Sequence, residues 1–189
     1  MKRVLVAGIG NIFMGDDGFG CEVAQQLSRT PLPDGVDVVD FGIRGMDLSY
    51  ALMEGYDAAV LVDAMQRGAV PGTVSVVEPE IDAAQVGVVE SGEHLIAPHA
   101  MDPVKVLRFV ATLGEKRPRV LLVVCEPETL GGEEGYMGLS TAVATAVEQA
   151  VSEIRSMAEE LTRDVGSVCR NEKASRKQLW SEAAPGGMI

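Results

Sequence analysis

Cysteine is scarce in this sequence. Only Cys21, Cys125 and Cys169 occur, and no two of them form a C-x-x-C pair. This number and spacing exclude a disulfide framework and a zinc knuckle. Because Cys21 and Cys125 fall in apolar stretches, we predict that both are buried, reduced thiols.

Basic residues are few, and long hydrophobic runs are missing. The chain has 16 lysines and arginines against 28 aspartates and glutamates, which gives a net charge of −12. Such a charge opposes binding to nucleic acid and to anionic membrane surfaces, so neither is an expected partner. The apolar start of the chain reaches a glycine-rich turn after about six residues, too early for a signal sequence or a membrane span. We therefore expect a cytoplasmic protein.

The residues that are present suffice for one hydrophobic core. The chain has 189 residues, of which 47% are hydrophobic, and it contains 21 glycines. We assign residues 1–163 to a single α/β domain. Residues 164–189 are polar and aperiodic, which is typical of a disordered C-terminal tail.

Short valine-rich runs alternate with amphipathic stretches along residues 1–163. The runs predict five buried strands, at 4–7, 36–41, 58–62, 73–77 and 120–125. Apolar residues at three- and four-residue spacing predict helices at 18–28, 46–54, 102–113 and 140–162, with Asp102 and Ser140 as N-caps. This order predicts a three-layer α/β fold, with helices on both faces of a twisted, mostly parallel sheet. The short turn before strand four predicts an antiparallel hairpin with strand three, which makes the sheet mixed.

The loop GIGNIFMGDDGFG, residues 8–20, begins like a dinucleotide fingerprint. That fingerprint requires a third glycine where this chain has Phe13, and Asp16 and Asp17 would repel a pyrophosphate, even though Asp40 could serve as the ribose-binding acid. A structural alternative is that one aspartate caps the next helix. Two adjacent carboxylates at the end of a strand point instead to a cation.

Two further residues are candidates to join these carboxylates. Asp63 ends the third strand, so it should lie at the carboxyl edge of the sheet, where open α/β sheets bind ligands. His99 precedes a predicted helix on a loop that can reach the same edge, and His94 is the competing histidine. One imidazole with two carboxylates suits Ni²⁺, Zn²⁺, Fe²⁺ or Mn²⁺. A phosphoacceptor site with the same acids would need a lysine after strand five, but the chain has CEPE there.

Seven segments together resemble the hydrogenase maturation endopeptidases, which trim the C-terminus of the nickel-iron hydrogenase large subunit. They are GIGNIFMGDDGFG, GIRGMDL, VLVDAM, PGTV, APHAMDPVKVL, CEPE and MGLSTAV, in that order. The resemblance covers about residues 3–155. It implies an endopeptidase that acts as a monomer on the large-subunit precursor after nickel insertion.

The resemblance also implies roles for particular residues. It assigns nickel contact and catalysis to Asp17, Asp63 and His99, with Asp16 as a possible helper. It implies as well that the nickel arrives bound to the substrate and that the protease holds no resident cofactor. Some family members have glutamate at the first position, so the shorter Asp17 departs from part of the family.

For the segment GIRGMDL the resemblance implies a substrate-contacting loop through Gly42, Arg44 and Gly45, although a simple turn into the next helix explains the segment as well. We find no Ser-His-Asp or Cys-His arrangement, so attack by water is the predicted mechanism. The alternative function is a nickel-dependent chaperone or metal-sensing binding module that holds the precursor without cleaving it.

Overall fold

The protein is described by a computed structural model that covers residues 2–79, 117–131 and 135–163. The described strands are Val4–Ile9 (β1), Val36–Gly42 (β2), Ala58–Ala64 (β3), Val74–Val77 (β4) and Arg119–Cys125 (β5). The described helices are a 3-10 turn at Gly15–Gly18 and the α-helices Phe19–Leu27 (α1), Gly45–Leu52 (α2) and Thr141–Thr162 (α3). All five predicted strands and three of the four predicted helices are confirmed. The predicted helix at 102–113, its cap Asp102, and residues 164–189 with Cys169 lie outside the described residues.

The strands form one mixed sheet in the order β2-β1-β3-β5-β4. Strands β2, β1, β3 and β5 are parallel, and β4 runs antiparallel beside β5. The prediction of a mixed α/β sheet is therefore confirmed.

The predicted partner of β4 is wrong, because β4 does not form a hairpin with β3. Strand β5 lies between them and occupies the edge of β3 that a hairpin would have used. The connection from β3 to β4 passes over the end of β5, where Met65 N–H donates to the Cys125 carbonyl at 2.9 Å. Gly72 N–H donates to the Glu126 carbonyl at 2.8 Å in the same crossing.

Both faces of the sheet are covered, which explains why β1 and β3 are apolar at nearly every position. Leu5 and Leu61 pack with Leu48 of α2 in one cluster. Val6 and Val60 pack on the other face, in a cluster that α1 and α3 complete. Among the described residues, no helix is sufficiently long and apolar to span a membrane.

Close packing of α1 on the sheet sets the position of the opening loop. A Cβ added at Gly20 would lie 2.1 Å from the Val62 carbonyl oxygen and 2.3 Å from the Ile9 carbonyl oxygen. Only glycine allows the first turn of α1 to touch the ends of β1 and β3 in this way. The 3-10 turn before α1 is consequently held at the carboxyl edge of the sheet.

Candidate active site

The opening loop folds back on its own second half. Gly10 has a φ of 134°, and a Cβ added there would lie 1.8 Å from the Asp17 carbonyl oxygen. Asn11 N–H donates to Asp17 Oδ2 at 2.7 Å. Gly10 is therefore required to let the loop close around Asp17, which is a different use of glycine from the approach to a pyrophosphate in a dinucleotide fingerprint.

Asp17 is a half-buried carboxylate in the 3-10 turn. Burial raises its pKa, and the bond from Asn11 N–H lowers it, with a net increase above the ordinary value. The ionised form is thus less favourable here than in water. A cation beside Asp17 would relieve that cost.

Asp63 lies at the carboxyl end of β3, next to the last residue of that strand. Because β3 pairs with β1 on one side and β5 on the other, Asp63 is in the middle of the sheet edge. Its side chain is buried, and Oδ1 accepts a hydrogen bond from Ala64 N–H at 2.9 Å. The location agrees with the position that the sequence predicts for it.

One buried thiol lies near both of these carboxylates. Cys21 of α1 donates to the Gly10 carbonyl, with a sulfur–oxygen distance of 3.4 Å. Burial, together with the carboxylates of Asp40, Asp17 and Asp63, raises the pKa of Cys21 to about 12. The thiol thus lies within electrostatic range of carboxylates from the 3-10 turn, β2 and β3.

Asp16 differs sharply from its neighbour Asp17. It is completely buried, and its carboxylate accepts N–H bonds from Ser140 at 2.6 Å, Glu128 at 2.8 Å and Thr129 at 3.0 Å. Burial raises the pKa of Asp16, but these bonds outweigh that effect and hold the pKa below its ordinary value.

The helix-capping alternative for the two aspartates is wrong. The N-cap of the 3-10 turn is Met14 and that of α1 is Gly18, and within the described part of the chain neither position has a side-chain capping bond. The carboxylate of Asp16 instead binds segments more than a hundred residues away in sequence. The predicted cap Ser140 is confirmed at the start of α3, where its hydroxyl accepts Val143 N–H at 3.4 Å.

The loop after β2 lies beside the opening loop. Gly10 N–H donates to the Gly42 carbonyl at 3.1 Å. Arg44 donates to the carbonyls of Phe41, at 3.1 Å, and Asp40, and it forms an exposed ion pair with Asp47. Gly45 begins α2. The contacts of the guanidinium with its own loop favour the interpretation of this segment as a turn into α2.

Sequence reasoning did not identify Glu126, a third largely buried carboxylate at this edge after Asp16 and Asp63. Its oxygens accept N–H bonds from Arg67 at 2.8 Å and Gly68 at 3.1 Å. A cavity of about 210 Å³ adjoins it, lined by Arg67, Ala69, Thr73, Ser75, Val124 and Glu126. The available signal was the pair of acids in CEPE after β5. The bonds of Glu126 to the β3–β4 connection show that it has a structural use.

The two histidines, His94 and His99, lie outside the described residues. Among the parts of the chain that the structure describes, no group of three or more histidine, cysteine, aspartate or glutamate side chains is arranged to hold a metal ion. The described residues therefore contribute Asp17 and Asp63 from the predicted ligand set.

The fold and the carboxylates at the carboxyl edge of the sheet define the class of the protein. It is an open α/β protein with acidic side chains at the edge where such sheets bind their ligands. Known proteins show which member of that class it is. The model of the hydrogenase maturation protease family matches residues 21–157. The Escherichia coli hydrogenase 2 maturation protease is 30% identical over 154 residues, which is 80% of this chain and 88% of that protein.

Solved structures agree with this match. The hydrogenase maturating endopeptidase HybD of E. coli superposes with a TM-score of 0.65 at 26% identity, over 84% of this chain and 93% of that one. The hydrogenase 2 maturation peptidase of a Thaumarchaeota archaeon gives a TM-score of 0.60 at 32% identity, over 84% and 99% of the two chains. The chain belongs to the hydrogenase maturation protease family. It is therefore an endopeptidase, and its reaction is hydrolysis.

Proposed function

We propose that this endopeptidase removes the C-terminal extension of a nickel-iron hydrogenase large-subunit precursor after nickel has been inserted. In this proposal Asp17 and Asp63, together with His99, contact the nickel. The metal belongs to the substrate and leaves with it, so the protease needs no resident cofactor. The observation that carries the proposal is the position of Asp17 and Asp63 at the carboxyl ends of the adjacent parallel strands β1 and β3, where the first turn of α1 packs directly on both strands.

The electrostatics of the site support recognition of a metal-loaded substrate. Burial opposes ionisation of Asp17, and carboxylates that approach one another repel. A precursor that carries a divalent cation removes both penalties, whereas a precursor without nickel leaves them in place. The same protein can therefore distinguish the two forms of its substrate through charge alone.

Water is the nucleophile in the proposed reaction. Burial is the main cause that raises the pKa of Cys21 to about 12 and that of Cys125 to about 11, so both thiols are neutral at pH 7. Water adds to the scissile carbonyl after a carboxylate takes its proton. The peptide C–N bond then breaks, the proton passes to the leaving amine, and a new C-terminal carboxylate remains.

Exposed apolar side chains beside the site support a protein substrate. Ile12, Phe13, Tyr136 and Met137 are all about half exposed or more, and Phe13 and Met137 are 58% and 68% exposed. They belong to neighbouring segments, because Tyr136 N–H donates to the Phe13 carbonyl at 3.0 Å. Exposed apolar groups that cluster in this way are typical of protein-binding surfaces.

The experiment that tests the proposal compares ligand variants on nickel-loaded precursor. Asp17→Asn, Asp63→Asn and His99→Ala should each abolish cleavage while the circular dichroism spectrum stays unchanged. His94→Ala is the matched control and should cleave normally. Full activity of His99→Ala would show that the wrong histidine was chosen. Binding of the precursor by the unaltered chain without any cleavage would favour the chaperone alternative.

A further inference from the structure

The carboxylate of Asp16 is enclosed by the fold. Asp16 is fully buried, and each of its two carboxylate oxygens accepts at least one backbone N–H bond. Oδ1 accepts the Ser140 N–H, and Oδ2 accepts the N–H groups of Glu128 and Thr129. A group enclosed in this way cannot touch the scissile bond, so the helper role that the sequence suggested would have to be indirect.

The three donors belong to two separate parts of the fold. Glu128 and Thr129 follow β5, and Ser140 is the N-cap of α3. Backbone bonds reinforce the connection, since Asp16 N–H donates to the Thr129 carbonyl at 3.0 Å and Gly15 N–H to the Tyr136 carbonyl at 2.6 Å. Asp16 is consequently the point at which the opening loop, the segment after β5 and α3 are joined.

Asp17 depends on the same turn for its position. It shares a peptide bond with Asp16, and its own N–H donates to the Met14 carbonyl at 3.3 Å. In a 3-10 turn, successive side chains point about 120° apart, since the turn has about three residues. Asp16 can therefore face the interior while Asp17 is partly exposed and binds Asn11 N–H. Any rotation of the turn that frees Asp16 moves Asp17 as well.

We infer that Asp16 is a positioning residue for the cleavage reaction: it holds Asp17 in its reactive place by fixing the turn to the segment after β5 and to α3. This inference rests on the proposed function, because it gives Asp17 the contact with nickel. Displacement of a reacting group by about 1 Å commonly costs 100-fold in rate. The loss should fall mainly on kcat, because the exposed apolar residues that dock the precursor, Phe13 and Met137 among them, keep their place while the reacting group moves.

Asp16→Asn is the informative substitution, because it preserves the shape of the side chain. A carboxylate offers two acceptor oxygens to the three N–H donors, whereas an amide offers one oxygen and turns an NH₂ toward the other donors. We expect kcat for nickel-loaded precursor to fall at least tenfold, with KM changed less than threefold. Val147→Ala, a core change in α3, serves as the control for loss of stability.

The kinetic comparison is made below the thermal midpoint of both variants, where circular dichroism shows each to be folded. If Asp16→Asn loses no more kcat than Val147→Ala, the role of Asp16 is only structural and the inference is overturned. The better control is the core variant whose decrease in thermal midpoint is closer to that of Asp16→Asn. If this is Ile154→Val, it replaces Val147→Ala.

Amide hydrogen exchange of the unaltered chain tests the inference without any variant. The N–H groups of Glu128, Thr129 and Ser140 report on Asp16, and the N–H of Asn11 reports on Asp17. If Asp16 holds Asp17, all four should open together and show protection factors within about threefold of one another. Much faster exchange at Asn11 would overturn the inference. Failure of the unaltered chain to cleave would instead refute the proposed function, and the exchange result would still decide the part played by Asp16.

Discussion

Gly20→Ala is the substitution that most directly probes how the fold positions the site. The new Cβ would lie 2.1 Å from the Val62 carbonyl oxygen, whereas ordinary contact begins near 3.4 Å. Helix α1 must therefore retreat from the sheet by about 1.3 Å, the difference between these distances. The atoms that it meets belong to the backbone of β1 and β3, which cannot rotate away.

The expected cost follows from two opposing effects. Overpacking against rigid backbone costs about 3 kcal/mol, and alanine gains about 1 kcal/mol over glycine in a helix. The net loss of about 2 kcal/mol should lower the thermal midpoint by roughly 4–8 °C for a chain of this size. The retreat also separates the turn that carries Asp17 from Asp63 on β3, so cleavage of the precursor should fall about 100-fold.

Thermal denaturation and a precursor cleavage assay check both parts of this prediction. Gln25→Ala, at an exposed position of the same helix, is the control and should leave both values unchanged. A Gly20→Ala variant with an unaltered midpoint and normal cleavage would refute the claim that close packing of α1 sets the geometry of the site.

Three other outcomes follow from the structure. Cys21 and Cys125 should resist alkylation at pH 8, measured by residue-resolved mass spectrometry, since burial raises the pKa of Cys21 to about 12 and that of Cys125 to about 11, above the ordinary thiol pKa of 9.0. The stability from these neutral thiols is complete below pH 9 and is lost as the pH rises toward 11–12. Phe13→Ser and Met137→Ser should raise KM for the precursor several-fold with little change in kcat, and steady-state kinetics that show an unchanged KM would remove these residues from the docking surface. Arg44→Ala should lower the free energy of unfolding by about 1 kcal/mol through loss of its bonds to loop carbonyls, as measured in urea.

Local patterns were sufficient to predict most of the fold. Strands β1 and β3 are apolar at nearly every position because both faces of the sheet are covered, and this leaves a clear trace in the sequence. Ser140 was recognisable as a cap because its hydroxyl serves the helix that begins directly after it. Such features depend on residues close together in the chain.

The partner of β4 could not be predicted in the same way. A short turn favours a hairpin, but β5 competes for the same edge of β3, and nothing in the segment between β3 and β4 encodes that competition. The outcome depends on pairing between β3 and β5, which are more than fifty residues apart. Local turn chemistry thus gave the antiparallel direction of β4 correctly and its neighbour incorrectly.

In the site, as in the sheet, features set by topology could be predicted, and features set by contacts between distant segments could not. The positions of Asp17 and Asp63 at one edge follow from their places after parallel strands, so the topology alone brings them together. The difference between Asp16 and Asp17 was hidden, because the bonds that enclose Asp16 come from residues 128–140. Glu126 was missed for a related reason, as its donors lie in the β3–β4 connection.

The central claim is that this endopeptidase cleaves a large-subunit precursor only when the precursor carries nickel. Intact-mass spectrometry of the precursor, incubated with the purified chain with and without prior nickel loading, tests it most directly. Loss of one C-terminal fragment is expected in the nickel-loaded sample, and an unchanged mass is expected in the other. Equal cleavage of both samples, or an unchanged mass in both, would contradict it.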